Sequence, residues 1–348
     1  LYKNMTDFSK EKKNNEAIGV LGKTEILDMN DDALIVVLNN CTLRELITLR
    51  KTCKKFYALI SDLPRYKKGI EVLEELYTSG VLKITEDEEF LITLFEKNYS
   101  NFVLNAINFR FHRITSLSFW GNKMLRNKEV IHNKILIFIS HWCKMLTSLG
   151  FSETKVTDVS CLVNCKNLNR LVLHYCNDLT DVSGLDQCNS LYRLSLKGCA
   201  GLEDISCLGQ CKMLTELCLK ECTGLRNVSG LEQSNTLREL YLDDCTGLKD
   251  ISCLGQCKEL GWLSLDSCTG VTDVSSLGKC KWLRTLFLNE CTGLTDVSCL
   301  CQCKNLTYIN LEGCTGVTDV SELIECKNIL AIKSELACKN IVIIKLEG

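Results

Sequence analysis

The sequence predicts an α/β fold, a solenoid whose parallel strands line a concave face, preceded by a small helical module. The first observation is a 23-residue repeat, marked by a leucine that recurs at this interval. The second is the alternation of residues that follows each of these leucines, which indicates a short strand. The recurring positions are Leu168, Leu191, Leu214, Leu237, Leu260, Leu283, Leu306 and, continuing the series, Ile329.

Each repeat begins with the pattern LxxLxLxxC. In the first regular unit, Leu171 and Leu173 point to one side of the strand and Val172 points to the other. A strand this short cannot bury its apolar side chains alone, but parallel stacking of successive units makes a continuous core. A 22-residue unit at Leu146 and a longer, irregular unit at Ile114 precede the regular series.

Two more residues recur in the second half of each unit. A glycine follows the cysteine by two positions, where we expect the chain to turn with φ > 0. An aspartate in the DVS or DIS segment is expected to cap the backbone of the returning turn. The glycines are Gly201, Gly224, Gly247, Gly270, Gly293 and Gly316; the aspartates are Asp204, Asp250, Asp273, Asp296 and Asp319.

This pattern resembles the leucine-rich repeat family, whose units begin LxxLxLxxN or LxxLxLxxC. The resemblance covers roughly residues 114–346. It implies a leucine-rich-repeat solenoid with parallel strands on the concave face, where a protein partner would bind. The DVS and DIS segments also resemble the repeats of bacterial internalins.

Residues 26–61 predict a pair of short helices. Asn30 or Asp31 can cap the first helix, and Thr42 with Glu45 forms a capping box at the start of the second. The apolar residues recur every three or four positions, so each helix has one apolar side. A core of this size is too small to be robust alone, so support from a partner is expected.

The same segment resembles the F-box. The matching residues are Asp32, Leu34, Val37, Leu38, Leu43, Leu46, Leu49, Cys53, Lys54, Phe56 and Tyr57. The sequence departs from the family pattern at Met29 and Asn30, where Leu-Pro is usual, and at Thr52, where Val is usual. The resemblance implies docking on a Skp-type adaptor of a cullin-based ubiquitin ligase. The adaptor-binding residues that it implies are Met29, Asn30, Leu34, Val37, Leu38, Leu46 and Phe56.

These features predict four segments along the chain. They are an N-terminal tail at 1–25, the F-box-like helical module at 26–64, a helical linker or N-terminal cap at 65–113, and the solenoid at 114–348.

The 24 cysteines fall mostly on repeat positions. One column ends the strands, a second lies on the outer return, and a third recurs every 46 residues. Buried free thiols are therefore expected, since free cysteine behaves as a small hydrophobic residue. A zinc site or disulfide bonds are the alternatives for the crowded segment at 291–303, where only Cys301 is off the pattern.

The non-leucine positions of the strands predict a binding surface. The third, fifth and seventh positions of each unit project outward, and aromatic residues cluster there in the later units. The seventh position runs from basic to acidic along the repeats. The predicted partner-binding residues are Arg170, Arg193, His174, Lys197, Lys220, Tyr241, Asp243, Trp262, Asp266, Phe287, Tyr308 and Glu312.

Catalysis is not indicated by any motif. The chain has four histidines, and its glycines recur singly rather than in a phosphate-binding loop. A net charge of −2 and the lack of a long apolar run favour neither nucleic acid nor a membrane as partner. We therefore expect no enzyme activity, no catalytic residues, no cofactor and no metal.

The leading hypothesis is a substrate receptor of a Skp-cullin-F-box type ubiquitin ligase, in the cytoplasm or nucleus. Its expected partners are a Skp-type adaptor, a cullin scaffold and an unidentified protein substrate. The alternative is a leucine-rich-repeat interaction protein outside any ligase, including one displayed on a microbial surface.

Overall fold

The structure is a computed structural model that describes residues 114–119, 133–325, 328–334 and 341–344. These residues belong to one compact unit of the chain. The predicted tail, F-box-like module and helical linker, with all seven predicted adaptor-binding residues, lie outside the described residues. Their boundaries remain predictions.

A single open sheet of eleven strands organises the described residues. The strands follow one another in chain order; β1 to β10 pair in parallel, and β11 pairs antiparallel to β10. The bounds are β1 Ser116–Phe119, β2 Ser148–Ser152, β3 Arg170–His174, β4 Arg193–Ser195, β5 Glu216–Cys218, β6 Glu239–Tyr241, β7 Trp262–Ser264, β8 Thr285–Phe287, β9 Tyr308–Leu311, β10 Ala331–Ser334 and β11 Ile341–Ile344. The predicted parallel solenoid is confirmed.

The register of the sheet matches the sequence repeat. Leu194 pairs with Leu217, and Leu217 in turn pairs with Leu240, so each step along the sheet is one repeat. All three leucines are fully buried. The stacked leucines form the continuous core, and each buried leucine contributes about 1.5–3 kcal/mol to stability.

Short 3-10 turns bring the chain back towards the next strand. The predicted caps are confirmed, because Asp204, Asp250, Asp273, Asp296 and Asp319 each accept a hydrogen bond from the backbone N–H two residues later. The turns span Ser160–Asn164, Leu185–Gln187, Ser206–Gln210, Leu231–Gln233, Ser252–Gln256, Ser275–Lys279 and Ser298–Gln302.

The recurring glycines are required for a different reason from the one predicted. None of the six has a positive φ. Instead, a Cβ on Gly224 would lie 2.4 Å from the carbonyl oxygen of Ala200 in the preceding unit. The positive φ occurs earlier, at the eighth position, where Glu221 has φ 60°. Its N–H bonds to the carbonyl of Asp243 in the next unit at 2.7 Å, which links neighbouring repeats.

Two helices lie among the described residues: α1 at Asn133–Trp142 and α2 at Ser321–Glu325. Ile135, Leu136 and Ile139 of α1 are fully buried. Asn133 connects α1 to the segment just before the first returning turn, because its side-chain amide donates to the hydroxyl of Thr157 at 2.8 Å and accepts from the Thr157 N–H. No helix in this part of the chain is long and apolar enough to cross a membrane.

The cysteine columns connect the repeats through their thiols. Cys245, at the end of β6, is fully buried, and its Sγ lies 3.0 Å from the carbonyl oxygen of Leu219. Cys257 on the outer return reaches the carbonyl of Leu231 at 3.3 Å, and Cys253 reaches that of Val228 at 3.1 Å. All three thiols therefore donate to the backbone of the preceding unit.

Burial keeps these thiols protonated, since it raises the pKa of Cys245 and Cys253 to about 12 and of Cys257 to about 11. Nineteen described cysteines are free thiols. Cys301 is disulfide-bonded, so the expectation of a free thiol is wrong there. Its partner lies outside the described residues.

Candidate protein-binding surface

One face of the sheet presents the third and fifth positions of the repeats, and we call it the outer face. In β3 to β9 the third positions pair in register from Arg170 through Arg193 to Tyr308. The fifth positions form a parallel row, in which Tyr241 pairs with Ser264 and Ser264 with Phe287. The seventh positions follow the strand ends.

The basic residues of the early repeats contact acidic residues of the next repeat. Arg193 lies 2.8 Å from Glu216, and Lys197 lies 2.9 Å from Glu221. Glu221 raises the pKa of Lys197 by hydrogen bonding, as does Tyr175 to a smaller extent. Neither glutamate is among the predicted partner-binding residues, because their pairing depends on how side chains cross between units.

His174 lies at the end of β3, with its Nε2 2.8 Å from the Ser195 hydroxyl. Burial lowers the pKa of this imidazole, and the positive charges of Lys197 and Arg170 lower it further. The ring is therefore neutral at pH 7. A neutral imidazole beside a hydroxyl adds hydrogen-bonding capacity to this part of the face without adding charge.

Asp243 is the most buried carboxylate of the surface, with 8 % of the residue exposed. Its Oδ2 lies 3.2 Å from Lys220 Nζ, and its Oδ1 accepts a hydrogen bond from Ser264 at 2.8 Å. The Lys220 Nζ also lies 5.3 Å from the ring centroid of Tyr241. Lys220 thus neutralises Asp243 while it packs against an aromatic ring.

Four aromatic residues form a continuous stripe on the outer face: Tyr241, Trp262, Phe287 and Tyr308. The ring centroids of Tyr241 and Trp262 are 6.5 Å apart, and both later steps, Trp262 to Phe287 and Phe287 to Tyr308, are 5.3 Å. Trp262 is 37 % exposed, and the other three rings are half-buried. The Tyr241 hydroxyl donates to Glu239 at 2.8 Å, which fixes the ring at the start of the stripe.

Beyond the stripe, the acidic residues differ in their partners. Glu312 is paired with Lys333. Asp266, by contrast, accepts a hydrogen bond from the Asn289 backbone N–H at 2.8 Å but has no ion-pair partner among the described residues. Burial raises the pKa of Asp266, and the negative charge of Asp243 raises it further.

The twelve predicted partner-binding residues therefore lie on one sheet, although their roles differ. Arg193, Lys197, Lys220, Asp243 and Glu312 are held in ion pairs, so the charge gradient predicted from the sequence is largely compensated within the protein. The aromatic stripe and Asp266 remain available to a partner. Within the described ranges, no three histidine, cysteine or acidic residues are arranged to hold a metal ion.

Comparison with protein families supports both parts of this organisation. The family model for the F-box domain matches residues 26–68, and the model for leucine-rich repeats in two copies matches residues 281–325. The chain thus combines an F-box domain with leucine-rich repeats. These are typically non-catalytic modules, and the combination supports a role in substrate recognition or protein interaction.

Among solved structures, one bacterial leucine-rich repeat domain shows the same solenoid fold. The leucine-rich repeat domain of the type III effector XopL is 16 % identical, with a TM-score of 0.53, and the match covers 78 % of this chain and 97 % of that one. Internalin C2 from Listeria monocytogenes is 20 % identical, with a TM-score of 0.44, and the match covers 70 % of this chain and 92 % of that one. No curated protein matches the sequence.

Proposed function

We propose that this protein is the substrate-recognition subunit of a Skp-cullin-F-box type ubiquitin ligase. The F-box docks on a Skp-type adaptor, which joins it to the cullin scaffold, and the outer face of the sheet captures the protein target. The subunit positions that target and carries out no chemistry itself. It acts in the cytoplasm or nucleus, where the ligase operates.

The observation that carries this proposal is the presence of both modules in one chain. An F-box match at residues 26–68 precedes a repeat sheet with a partly exposed aromatic stripe on its outer face. Clustered aromatic residues are frequent anchors of protein interfaces, and a monomer seldom leaves them accessible without a partner.

The adaptor contact rests on the apolar residues of the F-box. Leu34, Val37, Leu38 and Phe56 supply the apolar side that the adaptor would cover. Met29 and Asn30 replace the usual Leu-Pro and weaken this contact without removing it. A substitution that places a charge among these residues should therefore release the adaptor.

A pull-down with a recombinant Skp-type adaptor and the cullin N-terminal domain tests the proposal. We expect the wild-type chain to retain both proteins and the Leu38→Asp variant to retain neither. Circular dichroism and thermal melting of the variant should match the wild type, which would exclude loss of the repeat fold as the cause. If the folded wild-type chain retains no adaptor, the protein acts outside the ligase, as an interaction protein only.

A further inference from the structure

Among the described residues, the row of seventh positions contains one acidic group without an ion-pair partner. Asp243 has Lys220 from the unit before it, and Glu312 has Lys333 from the strand after it. Asp266 lies between these pairs, and its neighbours in the row are Asp243 and Asn289. In the described part of the chain, ion pairs therefore hold the acids on either side of Asp266, whereas Asp266 feels the charge of Lys220 without an ion pair to it.

Asp266 also lies beside the aromatic stripe. It lies two residues beyond the end of β7, and its Oδ1 accepts the backbone N–H of Asn289, two residues after Phe287 at the end of β8. Phe287, in the adjacent strand, packs its ring 5.3 Å from that of Trp262. The site thus combines ring faces that can accept the apolar stem of a side chain with a half-buried carboxylate on the neighbouring segment.

The protein already fills two such sites with its own lysines. Lys220 places its Nζ 5.3 Å from the Tyr241 ring centroid and 3.2 Å from Asp243 Oδ2. One unit earlier, Lys197 lies 5.7 Å from the Tyr175 ring centroid and 2.9 Å from Glu221. In both cases a cation bridges a ring and a carboxylate. Asp266 offers a carboxylate next to β8, where Phe287 offers a ring that packs against Trp262. At the position that Lys220 occupies relative to Asp243, the unit before Asp266 has Asp243 itself.

We infer that the outer face holds an arginine side chain of its protein partner, stacked on Trp262 and Phe287, with the guanidinium bound to the Asp266 carboxylate. Arginine fits because a planar guanidinium stacks on an aromatic ring and binds a carboxylate through two parallel N–H donors. This inference rests on the proposed function only in that the outer face captures a protein. It specifies what that protein must present.

A fluorescently labelled peptide of alternating alanine and arginine tests the inference on the full chain. The matched probe replaces each arginine with citrulline, which keeps the shape and removes the charge. We expect the arginine peptide to bind in a fluorescence anisotropy titration. The affinity of the citrulline peptide should be lower by about tenfold or more. Absence of binding by the arginine peptide, or equal binding of the two peptides, would overturn the inference.

Three variants locate the contact. Asp266→Asn keeps an oxygen for the Asn289 N–H but loses the charge. We expect its affinity for the arginine peptide to be about tenfold lower than that of the wild type. Trp262→Leu keeps an apolar side chain but loses the ring, and it should also weaken binding. Asp244→Asn removes an exposed charge from the neighbouring unit and should leave binding within about twofold of the wild type. Equal affinity of Asp266→Asn and the wild type would place the arginine elsewhere.

The same preparations separate this inference from the ligase proposal. Thermal melts of each variant confirm folding, and the adaptor pull-down is repeated on each one. If the wild-type chain binds the adaptor but not the arginine peptide, only the inference of an arginine contact at Asp266 is wrong. If the chain binds the arginine peptide through Asp266 but binds no adaptor, only the proposed ligase role is wrong.

Discussion

The thiol of Cys245 donates a hydrogen bond to the carbonyl oxygen of Leu219, 26 residues earlier in the chain, at a distance of 3.0 Å. The same relationship recurs along the column, with Cys268 donating to Leu242 and Cys291 to Leu265, both also at 3.0 Å. Each thiol thus adds a second hydrogen bond to a carbonyl of the unit before it, which also accepts a backbone N–H. Loss of one thiol should weaken the junction between two repeats.

We predict that Cys245→Asp lowers the free energy of unfolding by about 3–5 kcal/mol, because it buries a carboxylate without a counter-ion. Cys245→Ala should cost about 1 kcal/mol, the net worth of one hydrogen bond, because the Leu219 carbonyl still accepts the Cys222 N–H at 3.2 Å. Thr246→Asp, at the exposed neighbouring position, is the control and should stay within about 0.5 kcal/mol. Urea denaturation measures all three. Similar stability of Cys245→Asp and Thr246→Asp would show that the column is not a buried junction.

The repeating glycines predict a second contrast. Gly224→Ala would place a Cβ 2.4 Å from the Ala200 carbonyl oxygen, so the two units would have to separate. A cost of about 1–3 kcal/mol is expected, as for overpacking elsewhere. Gly261→Ala is the matched control, because the nearest atom to its Cβ would be 3.6 Å away. That substitution should be neutral or stabilising by up to about 1 kcal/mol. Thermal melting measures both variants. A higher melting temperature for Gly224→Ala than for Gly261→Ala would contradict the close contact between Gly224 and the Ala200 carbonyl.

The capping aspartates predict a dependence of stability on pH. Backbone hydrogen bonds from Ser183, Ser252 and Ser298 lower the pKa of Asp181, Asp250 and Asp296 below the ordinary value of 3.8. A lowered pKa means that the folded state favours the charged form. The resulting stabilisation is present above about pH 4 and is lost as the pH falls through the lowered values.

We expect the triple variant Asp181→Asn, Asp250→Asn, Asp296→Asn to show a smaller loss of melting temperature between pH 5 and pH 2 than the wild type. Asn227 already occupies this position in one unit, where its Oδ1 accepts the Ser229 N–H at 3.0 Å, so the substitutions keep the turn. Asp178→Asn, which removes an exposed carboxylate outside the capping positions, serves as the control. An unchanged acid slope in the triple variant would mean that these caps do not govern acid stability.

The strands, the core and the thiol columns could be predicted from the sequence because they follow its period. Leu194, Leu217 and Leu240 repeat every 23 residues, and a parallel stack brings such positions into register. The capping aspartates were predictable because their contacts are local: each aspartate bonds to a backbone N–H only two residues later in the chain.

Contacts between units were harder to predict. The role of Gly224 depends on how closely the Ala200 carbonyl approaches, which is a property of the stacking distance and not of the local sequence. The pairing of Lys220 with Asp243 likewise depends on side chains that cross between strands. The sequence therefore indicated a charge gradient, whereas on the folded surface Asp266 is the acid of that row that has no ion pair with any described residue.

The most direct test of the proposed role is a calorimetric titration of the full chain with a Skp-type adaptor. We compare the wild type with the Met29→Leu, Asn30→Pro variant, which restores the usual Leu-Pro of the F-box. The account predicts saturable binding near one adaptor per chain for both, with tighter binding by the restored variant. Failure of both folded proteins to bind any adaptor would contradict it.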